Sequence, residues 1–409
     1  MTDSAWFRTL LVMASALFRS LSERNARRFF AGMLVSNIGT WVQMTALSIV
    51  VFRLTGTGTS LGINVACQFL PMLLLGAWAG AFADRHNKRH ITLITQSVMT
   101  IQAVLIGVLE LAGQLTLPLV YGLSLALGLA GAMDNPARRG LVIELVEPAS
   151  MSNAMALNTA VMTGSRIVGP ALAALLIDLV GAGWCFVANA MSFVAVLVSL
   201  ATMDTTALRV SPPAVRGGTP VRDGLRFVFS DPRLRILFIS LTVVSTFQFN
   251  YSVSLPVLTA RAFGDGKAFG WLLGVSSIGS FIGSLLVAGR ERVTMRWFFG
   301  ATAVMGVASL AVAFAPNLAT AFVMSIPMGI GGAAFIASSS ALLQEMCPPD
   351  MRSRLLALTA VAFLGSTPIG GPITGWIADH VGPRWSLGYG GFVTLGVVAI
   401  GAARLPRHY

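Results

Sequence analysis

The chain has 409 residues, 55% of them hydrophobic and 11% charged, and its mean hydropathy is strongly positive. That composition excludes an ordinary soluble domain of this length and predicts a polytopic membrane protein. The net charge of +12 would suggest a nucleic-acid partner, but 23 of the 28 Lys and Arg fall on one side of the predicted spans, 4 on the other and Arg166 inside one. The basicity therefore follows the positive-inside pattern and does not mark a nucleic-acid binder.

In chain order, residues 5–24 place Trp6, Leu10, Leu11, Ala14, Leu17, Phe18 and Leu21 at helical spacing, with Arg8, Arg19 and Arg24 elsewhere on the wheel. This predicts a helix on the inner membrane surface and no cleaved signal. Hydrophobic runs follow at roughly 29–53, 59–83, 90–111, 115–135, 153–178, 182–203, 234–257, 267–289, 295–314, 317–342, 353–378 and 383–404. Each is long enough to cross about 30 Å of hydrocarbon at 1.5 Å per residue. The even number puts both termini on the cytoplasmic side. Between the sixth and seventh runs, Pro212, Pro213, Gly217, Gly218 and Pro220 mark a cytoplasmic linker, with a short helix expected from Val221 to Ser230 before Asp231-Pro232 breaks it.

A repeat divides the chain in two. Shifting the first half by 201 residues aligns Glu144 with Glu345, Pro148 with Pro349, Ala156 with Ala357, Leu157 with Leu358, Gly164 with Gly365, Gly169 with Gly370, Asp178 with Asp379, Gly181 with Gly382 and Trp184 with Trp385. Shared apolar composition does not produce ungapped identities at Gly, Pro, Asp and Trp. The expected fold is all-α, twelve transmembrane helices in two pseudo-symmetric six-helix bundles. Its parts are an amphipathic segment 1–28, a first bundle 29–203, a linker 204–233 and a second bundle 234–409.

The polar break between the second and third runs reads GAFADRHNKR, from Gly80 to Arg89. Its cations Arg85, Lys88 and Arg89 place it inside. The pattern Gly-x-x-x-Asp-Arg-x-x-Lys-Arg at this position resembles the loop signature of the major facilitator superfamily, departing at Asn87, where that family usually has Gly. Asn also tolerates a left-handed turn. The run DNPARRGLVIELVEPASMSNAMALN from Asp134, with SRIVGPALAALL, FVANAMSF and VRDGLRFVFSDPRLR, is similar to the branch of bacterial exporters that includes the enterobactin exporter and drug and metabolite efflux proteins. The resemblance implies a monomeric secondary exporter of the bacterial inner membrane. It implies exchange of small amphipathic molecules for protons by alternating access, with no cofactor beyond the proton gradient. It also implies a latch in which Asp84 caps the amino end of the eleventh span, near Met351 to Arg354, while Lys88 or Arg89 pairs with Asp134 on the fourth.

Arg166 lies about 20 Å into the fifth span at 1.5 Å per residue, too deep to snorkel, and an intramembrane charge marks a functional site by default. Asn158, Met162 and Arg166 share a helix face, matched in the repeat by Thr359, Phe363 and Thr367. A lone cation there suits an anionic or catecholate-like substrate, a mobile ion pair, or a fixed tie between helices. Asn37, Trp41 and Gln43 on the first span and Gln248, Asn250 and Tyr251 on the seventh are further cavity candidates, each equally open to a helix–helix hydrogen bond. Gly169-Pro170 and Gly370–Pro372 are candidate bends.

The first and seventh spans carry no acid or His, so Glu110 and Asp134, near the ends of the third and fourth, are the proton-coupling candidates. Cys67, Cys185 and Cys347 lack metal-ligand spacing and pack as small hydrophobes. With no nucleotide loop and no nucleophile–base arrangement, an enzyme is not expected. Two other possibilities stand beside the exporter: an importer of a small solute, and a lipid-translocating protein on the same fold.

Overall fold

The computed structural model describes residues 19–209, 220–348 and 365–404, together with 355, 358, 359, 362 and 363. The first bundle comprises α1 (Arg24–Thr55), α2 (Gly58–Ala83), α3 (Lys88–Leu111), α4 (Leu117–Glu144), α5 (Met151–Val180) and α6 (Ala182–Ala201). A linker helix, α7 (Pro220–Ser230), leads to α8 (Pro232–Gln248), α9 (Tyr251–Ala262), α10 (Ala268–Ala288), α11 (Met295–Ala313), α12 (Leu318–Glu345), α13 (Thr367–His380) and α14 (Trp385–Ala403). With α8 and α9 in series as one span, 11 described segments are long and apolar enough to cross a membrane, and α13 is the described part of the twelfth. The protein is an all-α, twelve-span membrane protein built from two six-helix bundles.

Its surface inverts the soluble pattern. On α3, Ile94, Ile101 and Val108 point outward and are more than half exposed, while Thr95, Gln96 and Gln102 on the same helix are buried. Apolar side chains outside and polar ones inside are what a lipid surround selects, because polar groups find hydrogen-bond partners within the bundle and none in hydrocarbon.

The halves repeat one arrangement. In the first, α1 packs on α5 and α6, α2 on α4, and α3 on α4 and α6; in the second, α8 and α9 pack on α14, α10 on α12, and α11 on α12 and α14. They meet through α2 against α13 and α5 against α10, two contacts that the repeat exchanges.

Local chemistry sets the helix ends. Gly56 stops α1 in the left-handed region at φ 66°, its N–H on the Phe52 carbonyl. Asp231 caps α8 by accepting from the N–H of Arg233 at 2.7 Å. Asn87 corrects the expectation of a left-handed turn. It sits at φ −64°, ψ 110° and caps α3 by accepting from the His90 N–H at 3.0 Å, a task Gly could not perform. Residues 5–18 of the expected surface helix lie outside the described residues; the described part, Arg19–Ser22, is one 3-10 turn, tied to α5 where the Ser20 N–H donates to Asn153 Oδ1 at 2.9 Å.

Candidate functional site

Two faces of the molecule differ in how the halves meet. One carries residues 84–87, the start of α3 and the end of α4, and most of the cations; it is the basic face. At the other, the halves are sealed. Gly58 and Gly62 on α2 lie against Gly371, Pro372 and Gly375 on α13 so closely that a Cβ on Gly62 or Gly375 would collide with the facing backbone. Asp379, at the end of α13, accepts from the Gly58 and Thr59 N–H groups at 2.8 Å each and from Thr59 Oγ1 at 2.7 Å. The carboxylate thus caps the amino end of α2 across the seam. Arg261 on α9 pairs with Asp379 at 3.0 Å and also donates to the Gly56 carbonyl of the first half. On the second seam, Gly270 and Gly274 of α10 face Ala174 and Ala171 of α5, and Lys267 pairs with Asp178 at 3.1 Å.

At the basic face the strong polar contacts stay within the first half. Lys88 Nζ meets Glu144 at 2.6 Å with both side chains buried, in a space that Gly140 leaves for the lysine stem. Asp134 is paired instead with Arg138 at 3.1 Å, one helical turn on, and accepts from Thr95 Oγ1 at 2.9 Å and Gln96 Nε2 at 3.1 Å. Arg89 donates to the Leu200 carbonyl at 2.8 Å. The expected pairing of Asp134 with Lys88 or Arg89 is therefore corrected: the acid opposite Lys88 is Glu144, because Lys88 opens α3 at the level where α4 ends. Asp84 and Arg85 sit at the exposed end of α2, and a Cβ added at Gly80, one turn before them, would meet open space. Among the described residues the Asp84 carboxylate has no partner, and the eleventh-span start, 351–354, lies outside them.

Between the faces, the seam begins at Arg166. Its carbonyl accepts from Ser277 Oγ of α10 at 3.2 Å, and one turn on, Gly169 packs directly onto Trp41. The Arg166 guanidinium lies over the Trp41 ring, 5.3 Å from the centroid, and interacts electrostatically with Tyr251 of the second half. Among the described residues no carboxylate pairs with it. One turn towards the basic face, Met162 is exposed, and Gly164 has open space where a Cβ would stand. Arg166 and Trp41 are thus in contact, with Tyr251 of the second half in their electrostatic surroundings.

Other predicted cavity residues are drawn into the bundles. Gln43 is buried, donating to Gln102 Oε1 at 3.0 Å and accepting from Asn189 Nδ2 at 2.8 Å. Gln248 is buried too, donating to Ser309 at 2.6 Å, and Asn250 donates to the Thr246 carbonyl at 2.7 Å where α8 breaks from α9. For these three the helix–helix or helix-end role wins, because a polar group inside a bundle bonds to the nearest partner. Asn37 donates to the Met33 carbonyl of its own helix at 2.9 Å, Asn158 is buried beside Met162, and Thr367 opens α13 half-buried. Pro170 and Pro372 lie inside helices, and Gly370 gives the Thr246 carbonyl a close approach. Glu110 is tied to Arg53 at 2.6 Å at the sealed face.

Sequence reasoning does not single out Glu144, Asp379, Arg261, Gln102 or Asn189 as site residues. Two of them carry a signal, since Glu144 and Asp379 are members of the repeat identities, and Asp134-x-x-x-Arg138 is a readable i,i+4 pair.

A twelve-span protein of two repeated six-helix bundles that meet through α2–α13 and α5–α10 is a transporter of the major facilitator type. The chain belongs to the transmembrane secretion effector family, which it matches over residues 15–408. It is similar to the staphyloferrin A transporter of Staphylococcus aureus, 24% identical over 87% of this chain and 89% of that protein. The multidrug efflux pump Tap of Mycolicibacterium fortuitum is 26% identical over 85% of this chain and 88% of the relative. Among solved structures, an inward-facing bacterial homologue of the lysosomal transporter Spinster shares the fold, with a TM-score of 0.70 and 15% identity over 93% of this chain and 96% of that one.

Proposed function

We propose that this transporter is a secondary active exporter of small amphipathic molecules, siderophores, drugs or metabolites, working by alternating access and exchanging substrate for protons. The observation that carries this reading is an asymmetry among the described residues: the contacts between the halves run from Arg166 to one face, whereas the polar contacts at the basic face lie within the first half. By the positive-inside rule the basic face is cytoplasmic, so both termini are cytoplasmic and the conformation is the one that receives substrate from inside. The efflux pump and the siderophore transporter among its relatives support the substrate range and the bacterial inner membrane.

Export then requires the sealed face to open as the basic face closes. The sealed face is suited to that, since the Asp379 cap on α2, the Arg261 contact with Gly56 and the Lys267–Asp178 pair are partly exposed, and such contacts are individually weak. Glu110 and Asp134 are the acids proposed to carry protons, each released when its cation partner moves. The working unit is a single chain in lipid, with a small-molecule substrate and no nucleic-acid partner. The test is uptake of a fluorescent amphipathic dye and of a catecholate siderophore into inverted vesicles with an acid interior. Uptake abolished by a proton ionophore is expected; uptake indifferent to the gradient would remove proton exchange, and accumulation in intact cells instead would reverse the direction.

A further inference from the structure

We infer that Arg166, Trp41 and Tyr251 form a binding site for an anionic head group carried on an aromatic or otherwise flat apolar body, so that the preferred substrate is an amphipathic anion such as an aromatic carboxylate. The inference rests on the transporter reading and narrows it to a charge class.

Three independent features of the site converge. The first is the state of the charge. A guanidinium at mid-membrane is costly unless something compensates it, yet none of the described carboxylates reaches Arg166, and the nearest aromatic face, Trp41, offers only a cation–π contact. Trp41 covers one side of the guanidinium and leaves its N–H donors without acceptors among the described residues. Arginine presents these donors as a planar fork that matches a carboxylate. The ligand would therefore supply the missing negative charge.

The second is position. In a helix the side chain leans towards the amino end, which for α5 is the basic face, so the guanidinium is set on the basic-face side of its own backbone. Its own carbonyl is already within the seam, bonded to Ser277. A ligand arriving from the basic face meets this cation as the last group before the closed wall.

The third is the far wall. Tyr251 belongs to the other half, and its oxygen accepts from Gln248 Nε2 at 3.3 Å, with Ser309 a second hydrogen-bond partner. Its ring is tilted against Phe249, with centroids 5.8 Å apart. The site is thus cationic and aromatic on the first half and aromatic, with a phenol hydroxyl, on the second. An anion held here touches both halves, so its binding depends on their separation, as a substrate that drives alternation requires.

The test is binding to the purified full chain in neutral detergent at neutral pH, by isothermal titration, of three probes sharing one ring system: 2-naphthoate, the uncharged 2-naphthamide and the cationic 2-naphthylmethylammonium. Naphthoate should bind best. Arg166→Gln should weaken naphthoate about tenfold, the loss of a charge-assisted contact, and leave naphthamide within about twofold. Arg166→Lys should keep the preference for the anion, and Tyr251→Phe should weaken naphthoate by a smaller factor without touching naphthamide. These two variants carry the test if Arg166→Gln does not fold. Equal weakening of all three probes would make Arg166 a structural tie and overturn the site, as would a preference for the cation in the unaltered protein. Vesicle transport separates this from the export reading. Selective binding of naphthoate without gradient-driven movement would sink the exporter and leave the site, whereas gradient-driven movement of all three probes at one rate would sink the site and leave the exporter.

Discussion

The carboxyl ends of α2 and α13 each carry an aspartate, and the two differ in what they touch. At the sealed end, Asp379 closes over the amino end of α2 and holds Arg261 beside it. At the basic end, Asp84 terminates α2 in the open, exposed and with no partner among the described residues. Each acid stands at the carboxyl end of its helix, Asp379 engaged with the amino end of α2 and Asp84 exposed. Elsewhere the faces differ in kind. The described polar contacts at the basic face, Lys88–Glu144, Asp134–Arg138 and Arg89 with Leu200, all lie within one half. At the sealed face, Asp379 with Gly58 and Thr59, Arg261 with Gly56, and Lys267 with Asp178 cross between halves. Contacts within a half hold a rigid body together, while contacts between halves must break for the protein to work.

The largest expected effect comes from damaging the rigid body. Lys88 and Glu144 are both buried, and removing one member of a buried pair leaves an uncompensated charge at a cost of about 3–5 kcal/mol. Lys88→Ala or Glu144→Ala should lower the thermal unfolding midpoint and the yield of folded protein sharply. Lys88→Met combined with Glu144→Leu should recover most of that loss, since neither charge is then stranded. If Lys88→Ala leaves the midpoint unchanged, the pair is not a fixed tie and belongs with the breakable contacts.

Next in size is the seam itself. A side chain at Gly62 has nowhere to go while α2 lies on α13, and overpacking of this kind costs about 1–3 kcal/mol. Gly62→Val should therefore push the halves apart at the sealed face, by about ten- to a hundredfold in the ratio of conformations. Paired spin labels on Thr57 and His380, read by electron–electron distance measurement, should report a longer separation in the variant. An unchanged distance distribution would show that the seam yields locally and does not govern the opening.

How much of this is open to sequence reasoning follows the physical origin of each signal. The spans, the repeat and the asymmetry of charge are set by hydrocarbon thickness and by the positive-inside rule, which act on every residue of a segment, and the fold agrees with them. The pairing of side chains is less legible. Asp134 and Glu144 are both acids near the end of α4, and only the register of α3 against α4 decides which one faces Lys88. Gln43 and Gln248 look from sequence like cavity residues, and each is bonded instead to the third helix of its own half, through Gln102 and Ser309. Arg166 is conspicuous because charge within a span is rare. Its neighbours Trp41 and Tyr251 can be placed near it only once two helices from different halves are set side by side.

Smaller still is the effect of the cap. Asp379→Asn keeps the shape but removes the charge that faces both Arg261 and the amino end of α2, and caps and helix-end charges are worth about 0.5–2 kcal/mol. The same spin-label pair should show a larger open fraction at the sealed face, by roughly two- to thirtyfold, with less change than Gly62→Val produces. An unchanged open fraction would mean that glycine packing alone holds the seam.

The smallest equilibrium effect, and the most discriminating, belongs to Asp84→Asn. In this conformation the carboxylate touches nothing among the described residues, so its neutralisation should leave the unfolding midpoint and the spin-label distances where they were, within about 0.5 kcal/mol, as for a surface change. Transport should nevertheless fall, because closing the basic face brings the end of α2 towards the start of the eleventh span, where a carboxylate at the positive end of a helix is favoured. The two acids then separate by kind of measurement: Asp379→Asn changes the resting population, whereas Asp84→Asn changes the turnover and not the resting population. Normal transport by Asp84→Asn would break the symmetry between the two ends and leave Asp379 as a one-sided cap. A shift of the resting population by Asp84→Asn would mean that the acid is already engaged while the basic face stands open, and the two ends would not be opposite states of one device.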